Sequence, residues 1–148
     1  MLGVIREFAQ KFVNLFRPIR VNSLNTFILF LRQFKCTSVT VELSAKSGED
    51  KFHCIISFSA RFPNGRNVIY RKKFEESRRM GGITLDLRNC QARGILCERL
   101  SSDAKTEFAK IRKEIPGVEG AIVDLDGDTL TMDKDGKWSW PEPSWRKA

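Results

Sequence analysis

The chain has 148 residues, of which 41% are hydrophobic and 30% charged, with a formal net charge of +8 at pH 7. This composition is typical of a folded globular protein and excludes a disordered chain, and the length is that of one ordinary domain, which we take to span 1–148. Because no apolar run approaches the ~20 residues of a membrane-spanning helix or the pattern of a secretory signal, we expect a cytoplasmic protein.

The positive charge is concentrated in the first part of the chain. Residues 1–115 hold 22 Lys and Arg against 11 Asp and Glu, whereas residues 116–148 hold 4 against 7. A basic body favours a polyanionic partner, with nucleic acid first and an acidic protein or a membrane surface next. The alternative is a basic surface that serves only solubility.

Residues 4–17 have the apolar spacing of an amphipathic helix, which we expect to occupy 1–18 and to end at Pro18. Its apolar half includes Phe8, Phe12 and Phe16, which we predict to contact the sheet or a partner protein. A position in a membrane interface is the alternative, which we rank below the first because the sheet that follows needs a cover.

Residues 24–35 fit two structures. Ser23 can cap a helix with an apolar stripe that includes Phe27, Leu31 and Phe34. Because Phe30 and its neighbours make the segment nearly apolar all round, a buried strand is the alternative. We favour the helix.

A first β-meander is predicted over 38–88. Alternating apolar residues predict strands at 38–45, 51–62 and 66–75. A polar loop at 75–82 then leads to a short fourth strand marked by Ile83, Leu85 and Leu87.

The hairpin at 51–74 has the clearest pattern in the sequence. Pro63-Asn64-Gly65 fits a three-residue loop with a glycine bulge, which pairs Ala60 with Val68, Phe58 with Tyr70 and Cys54 with Phe74. A two-residue loop would mix apolar and charged side chains on each face, so we choose the three-residue loop. This register turns the aromatic side chains inward, which weakens the case for base stacking on single strands.

The same register collects basic side chains on the outer face of the hairpin. Guanidinium and ammonium groups between serines suit contacts with phosphates, and a two-stranded ribbon can also enter a major groove. Lys72 is expected at the edge of this basic face, and Arg66 at the tip. Our candidate nucleic-acid contacts are Arg61, Arg66, Arg71, Lys72, Lys73, Arg78 and Arg79.

After a stretch with a poor signal, residues 102–115 predict a further helix, and residues 120–140 predict a second β-meander. A two-residue Asp126-Gly127 turn would pair Val123 with Leu130, and Ala121 with Met132. A three-residue loop at 134–136 would place Trp138 against Met132 and Trp140 against Leu130, so that both indoles join the apolar face. Residues 141–148 form the tail.

Enzyme chemistry finds little support in these residues. His53 is the single histidine, and no orienting acid can be assigned to it. No phosphate-cradling glycine motif occurs, and the aspartates at 124, 126, 128, 133 and 135 fit hairpin turns better than a cation site. The spacing of the four cysteines fits no metal site, which favours reduced thiols at Cys36, Cys54, Cys90 and Cys97. We therefore expect no catalytic residue, metal or cofactor.

The sequence predicts a single α+β domain with N-terminal helical segments, an antiparallel β-meander, a further helix and a C-terminal β-meander. We expect a small basic module that binds nucleic acid or a nucleoprotein complex through the hairpin. The alternative is an adaptor or inhibitor, of the kind that viruses and mobile elements encode, which binds a protein or a second copy of itself through the N-terminal helix and the C-terminal region of Trp138, Trp140 and Trp145. Peripheral membrane association is the third hypothesis.

Overall fold

One seven-stranded sheet organises the protein in the computed structural model, which describes residues 17–140. Two helices and a separate two-stranded hairpin complete an α+β fold, which confirms the predicted class. The elements are β1 (Ile19–Val21), α1 (Leu24–Gln33), β2 (Ser38–Ser47), β3 (Lys51–Arg61), β4 (Asn67–Ser77), β5 (Arg79–Met80), β6 (Ile83–Thr84), α2 (Cys90–Glu114), β7 (Glu119–Val123), β8 (Thr129–Met132) and β9 (Trp138–Ser139).

The strand order of the main sheet is β1-β4-β3-β2-β7-β8-β9. Most neighbours are antiparallel, but β1 runs parallel to β4, and β7 runs parallel to β2. The two meanders predicted from the sequence are therefore joined edge to edge through β2 and β7.

The predicted register of the β3–β4 hairpin is confirmed. Ala60 pairs with Val68, Phe58 with Tyr70 and Cys54 with Phe74. Gly65 has a φ of +88°, the left-handed conformation that a glycine bulge requires. Phe58 is fully buried, as this register demands.

The core lies between one face of the sheet and the two helices. On α1, the ring of Phe27 meets that of Phe58 edge-on, with centroids 6.3 Å apart. On α2, Phe108 meets Trp138 at 5.5 Å. The helical interpretation of residues 24–35 is confirmed, with the Ser23 hydroxyl accepting a hydrogen bond from the first turn of α1.

The helix predicted over 102–115 begins much earlier than we expected. α2 starts at Cys90, where the Asn89 side chain accepts a hydrogen bond from the backbone N–H of Gln91 at 2.8 Å. The apolar periodicity of this helix is weak because the buried stripe of α2 mixes leucines with small and polar residues. This stripe is Ala92, Leu96, Leu100, Ser101, Ala104, Glu107, Phe108 and Ile111.

The polar loop expected at 75–82 is wrong, whereas the short strand expected at Ile83 is present but covers only Ile83–Thr84. β4 continues through Ser77, and Ile83–Thr84 pairs with Arg79–Met80 in the separate hairpin, not with the main sheet. Gly81 and Gly82, both with positive φ, allow this tight reversal of the chain. Leu85 and Leu87 pack against the core without belonging to a strand.

The predicted register of β7 and β8 is also wrong. Ile122 pairs with Leu130, so the loop has three residues instead of two. The reason is Asp124, whose carboxylate accepts hydrogen bonds from the backbone N–H groups of Asp126 and Asp128 at 2.9 Å each. This side chain stabilises a wider turn than an Asp-Gly pair alone would form.

The two tryptophans among residues 17–140, Trp138 and Trp140, differ in their surroundings. Trp138 pairs with Met132, as predicted, and also packs against Phe108. Trp140 follows the end of β9 and is 58% exposed, so its predicted place on the apolar face is wrong.

Candidate nucleic-acid interface

The main sheet has an inner face covered by α1 and α2 and an outer face that carries no helix among residues 17–140. Burial alternates strictly along β3, where Phe52, Cys54, Ile56, Phe58 and Ala60 are buried and the residues between them are not. Side chains of a strand point alternately to the two faces of its sheet. The outer face is therefore formed by every second residue of each strand.

Arg61, Arg71 and Lys73 lie on this outer face and are exposed, as predicted. The pairing places Arg71 opposite Ser57 and Lys73 opposite Ile55. None of the three cations makes an ion pair with any residue between 17 and 140. Their charges therefore remain available to a ligand.

Arg20 is a fourth exposed cation that the sequence reasoning missed. It lies on β1, which aligns Arg20 with Ile69 of β4 and so turns its side chain to the outer face. The alternation of Ile19, Arg20 and Val21 after Pro18 is the signal that could have identified a short strand.

Lys72 lies on the inner face instead of at the edge of the basic face, where we expected it. It pairs with Ile56, and its ammonium contacts the carboxylate of Glu107 on α2 at 3.2 Å. Lys110 contacts the same carboxylate at 3.3 Å. Lys72 is therefore removed from the candidate site.

Arg78 also has a structural role. Its Nε donates to the carbonyl of Leu85 at 3.0 Å, and its Nη1 donates to the carbonyls of Gly48 and Glu49. The guanidinium lies 5.7 Å from the centre of the Phe52 ring. Arg78 thus ties the β2–β3 turn to the chain after β4, and few of its donors are left for a ligand.

The remaining two candidates lie at the ends of the hairpin. Arg66 is in the β3–β4 turn, where its Nε donates to the carbonyl of Arg17 at 3.1 Å. Arg79 lies on β5 with its guanidinium 3.9 Å from the carboxylate of Asp50, and both side chains are largely exposed. These two flank the outer-face cations without forming a group with them.

His53 has an acidic neighbour that the sequence did not reveal. Its Nδ1 lies 3.6 Å from the carboxylate of Glu75, which also contacts Lys51 at 3.2 Å. All three side chains are about half exposed. The group has the composition of a solvated surface network, in which Glu75 neutralises part of the positive charge.

The outer face is electrically asymmetric. Arg20, Arg61, Arg71 and Lys73 lie on β1, β3 and β4, where Glu75 is the one outer carboxylate. The outer positions of β2 and β7 include Glu42 and Glu119, with Lys46 as the one outer cation of those two strands. The cationic half of the face, which we call the basic face, is thus formed by the outer residues of β1, β3 and β4.

Two shallow depressions lie on the outer side of the sheet. One of about 560 Å³ is lined by residues that include Ile55, Lys73 and His53. Another of about 370 Å³ lies towards the other end of β3 and is lined by residues that include Ser59 and Arg61. The first depression is also lined by Lys46 and Glu75, and the second by Glu42, so each places an unpaired cation of the basic face near a carboxylate.

The aspartates and cysteines considered in the sequence do not gather into a cluster within residues 17–140 that could hold a metal ion. The acidic turn at Asp124 is held by its own backbone hydrogen bonds, and Asp126 pairs with Arg93 at 2.8 Å. Within the described residues, no group of three or more His, Cys, Asp and Glu side chains is arranged to hold a metal ion. All four cysteines are free, and Cys36 and Cys54 are buried.

The predicted protein-contact residues Phe8, Phe12, Phe16 and Trp145 lie outside the described residues, as do the first 16 residues of the helix predicted over 1–18 and the tail at 141–148. No helix between residues 17 and 140 is both long and apolar enough to cross a membrane.

Comparison of the chain with protein-family models, with curated proteins and with solved structures finds no match. Function must therefore be argued from the residues of the sheet itself.

Proposed function

We propose that this protein binds nucleic acid, or a complex that contains it, through the basic face. The observation that carries the proposal is that Arg20, Arg61, Arg71 and Lys73 share one sheet face, are exposed, and make no ion pair with the described residues, whereas Lys72 and Arg78 are used within the fold. Cations without internal partners release the counterions of a polyanion on binding, which stabilises the complex.

The neighbouring side chains support phosphate as the group recognised. Ser57 lies opposite Arg71, and Ser59 lies opposite Ile69 on the same pair of strands, with its hydroxyl donating to the carbonyl of Thr40 at 3.4 Å. Short hydroxyl groups between guanidinium groups are common partners of phosphate oxygens. The reduced cysteines fit the cytoplasmic setting that the sequence suggests.

The test is a salt titration of oligonucleotide binding by the wild type and by an Arg61→Ala/Arg71→Ala/Lys73→Ala variant. We expect the variant to bind about 10- to 100-fold more weakly, and the slope of log K against log salt to fall by about 2–3, because about 0.9 is lost per phosphate contact on duplex DNA. Fluorescence anisotropy of labelled oligonucleotides measures both quantities.

A matched control removes the same charge elsewhere. Lys105 and Lys113 on α2 and Lys134 in the β8–β9 turn are exposed and make no ion pair with the described chain. A Lys105→Ala/Lys113→Ala/Lys134→Ala variant should keep most of the affinity. Equal losses in both triple variants would show that only net charge matters and would sink the proposed site. Binding to anionic lipid vesicles but to no oligonucleotide would indicate that the basic face binds a membrane surface instead of nucleic acid.

A second function is favoured by one exposed side chain. Trp140 is 58% exposed at the end of the C-terminal meander, and tryptophan is enriched at protein interfaces. We infer that this end of the protein contacts a partner protein. A Trp140→Ser variant should lose a protein partner that wild-type protein retains after nuclease treatment in a pull-down, and retention of every partner would overturn the inference.

A further inference from the structure

β3 and β4 do not form a free ribbon. β2 pairs with β3 from Thr40 opposite Ser59 to Ser47 opposite Phe52, and β1 covers part of the other edge of β4. A two-stranded ribbon enters a major groove, about 12 Å wide, as a narrow element. A hairpin inside a seven-stranded sheet is too broad to do so, which leaves contact with the surface of the nucleic acid.

Among residues 17–140, the basic face exposes no phenylalanine, tyrosine or tryptophan on which bases could stack, and its single imidazole, His53, lies beside the carboxylate of Glu75. Phe52, Phe58 and Phe62 are buried in the core, and Tyr70 and Phe74 pack against it from the inner side. The apolar side chains on the outer face of β3 and β4 are isoleucines. Because stacking on aromatic rings is the main sequence-independent anchor of single strands, their bases would gain little here.

The face instead suits an extended row of phosphates. Lys73 and Arg61 stand beside the two depressions near opposite ends of β3. Lys73 is six residues along β4 from Asn67, the partner of Arg61, which corresponds to about 20 Å. A duplex lying along these strands offers about six base-pair steps over that span, at about 3.4 Å per step.

We infer that the basic face binds the sugar–phosphate backbone of double-stranded nucleic acid without reading its sequence, an inference that rests on the proposed function. The guanidinium and ammonium groups contact phosphate oxygens, Ser57 adds a hydroxyl, and no side chain of the face reaches into a groove. The expected contact is with four phosphates, one for each of Arg20, Arg61, Arg71 and Lys73.

The test measures wild-type binding to labelled 16-base-pair duplexes of DNA and of RNA, each in two unrelated sequences, and to their separate strands at the same salt concentration. We expect one or both kinds of duplex to bind at least tenfold more tightly than their single strands, and the two sequences of a duplex to differ by less than about threefold. Equal or tighter binding of single strands, or a strong preference for one sequence, would overturn the inference.

The absence of a duplex preference would not by itself contradict the proposed function. If single strands bind as well as duplexes and the Arg61/Arg71/Lys73 triple variant weakens both, nucleic-acid binding by this face stands and the duplex preference is wrong. If no oligonucleotide binds, both ideas fail together.

A gain-of-function variant gives an independent readout. Ile69 lies on the outer face between Arg20 and Ser59. An Ile69→Trp variant supplies the missing aromatic ring and should raise single-strand affinity several-fold while leaving duplex affinity unchanged. An Ile69→Val variant serves as the control. If Ile69→Trp does not raise the affinity for single strands, the absence of a stacking surface does not explain their weak binding, and this result counts against the inference.

Discussion

The ammonium of Lys72 contacts the carboxylate of Glu107 at 3.2 Å, across the interface between β4 and α2. The next residue, Lys73, points to the opposite side of the sheet and is exposed. Because side chains alternate along a strand, these two consecutive lysines lie on opposite faces of the sheet. One stabilises the fold, and the other is available to a ligand.

Exchanging each lysine for methionine should separate the two roles. Lys72→Met leaves Glu107, whose side chain is only 11% exposed, with Lys110 as its remaining cation, so we expect the free energy of unfolding to fall by about 1 kcal/mol. This is the low end of the range because Lys72 is itself 40% exposed. Lys73→Met should change stability by less than about 0.5 kcal/mol but weaken oligonucleotide binding. Urea unfolding and anisotropy measure the two effects, and a reversed pattern would contradict our assignment of faces.

Adding positive charge at the margin of the basic face should increase affinity. Glu42 is exposed on the outer face of β2, opposite Ser57. We expect Glu42→Lys to tighten duplex binding by about three- to tenfold and to steepen the salt dependence, because it replaces repulsion by attraction. Glu98→Lys makes the same charge change at an exposed position of α2. A similar gain from both variants would speak against a localised site.

Gly120 is required by the ring of Phe108. A Cβ at Gly120 would lie 2.5 Å from Cζ of that ring, closer than atoms pack. We therefore expect Gly120→Ala to lower the free energy of unfolding by about 1–3 kcal/mol. At Gly94 in α2 a Cβ would meet nothing within 4 Å, so Gly94→Ala should stabilise the protein by about 0.5–1 kcal/mol through helix propensity. Thermal unfolding of the two variants should give shifts of opposite sign, and shifts of the same sign would contradict this packing.

Alkaline pH should destabilise the protein through a buried thiol. Burial raises the pKa of the Cys54 thiol to about 11 from its usual 9.0, and the charges of Glu76 and Asp103 add to the shift. Because the folded pKa is the higher one, the stabilisation is fully present below pH 9 and is lost as the pH rises towards 11. Unfolding in urea at several pH values should show a loss on the order of 1–2 kcal/mol over this window.

The Cys54→Ala variant isolates this effect, since its stability should depend less steeply on pH over the same window. Burial also raises the pKa of Cys36, so part of the slope should remain. An unchanged slope in Cys54→Ala would mean that other groups control alkaline unfolding.

The local patterns of the sequence predicted the hairpin well because two independent signals agree there. Alternation along β3 defines the faces, and Pro63 with Gly65 defines the loop, so the exposed positions of Arg61, Arg71 and Lys73 followed directly. Lys72 and Arg78 were misplaced for a different reason. Glu107 lies 35 residues from Lys72, and Gly48 lies 30 residues from Arg78, so these partners become neighbours only in the folded chain. Leu85 is seven residues from Arg78 and meets it because the β5–β6 hairpin reverses the chain.

The errors elsewhere have identifiable physical causes. The first part of α2 escaped detection because its buried stripe begins with the small Ala92, and Gly94 with the apolar Ile95 before Leu96 blurs the helical period. The register of β7 and β8 shifted because a side chain, Asp124, completes the turn. Parallel pairing of β1 with β4 and of β7 with β2 leaves no local trace in sequence.

The parallel pairing of β2 with β7 also constrains when the protein can fold. Ser38 aligns with Glu119, so one edge of β2 finds its partner only after the whole of α2 has been synthesised. Contacts between segments far apart in sequence slow folding, and an unpaired strand edge invites association with other chains. During translation the β3–β4 hairpin can form early. The nascent chain nevertheless carries an open β2 edge until residues 119–123 leave the ribosome. A chaperone would protect the chain over this interval.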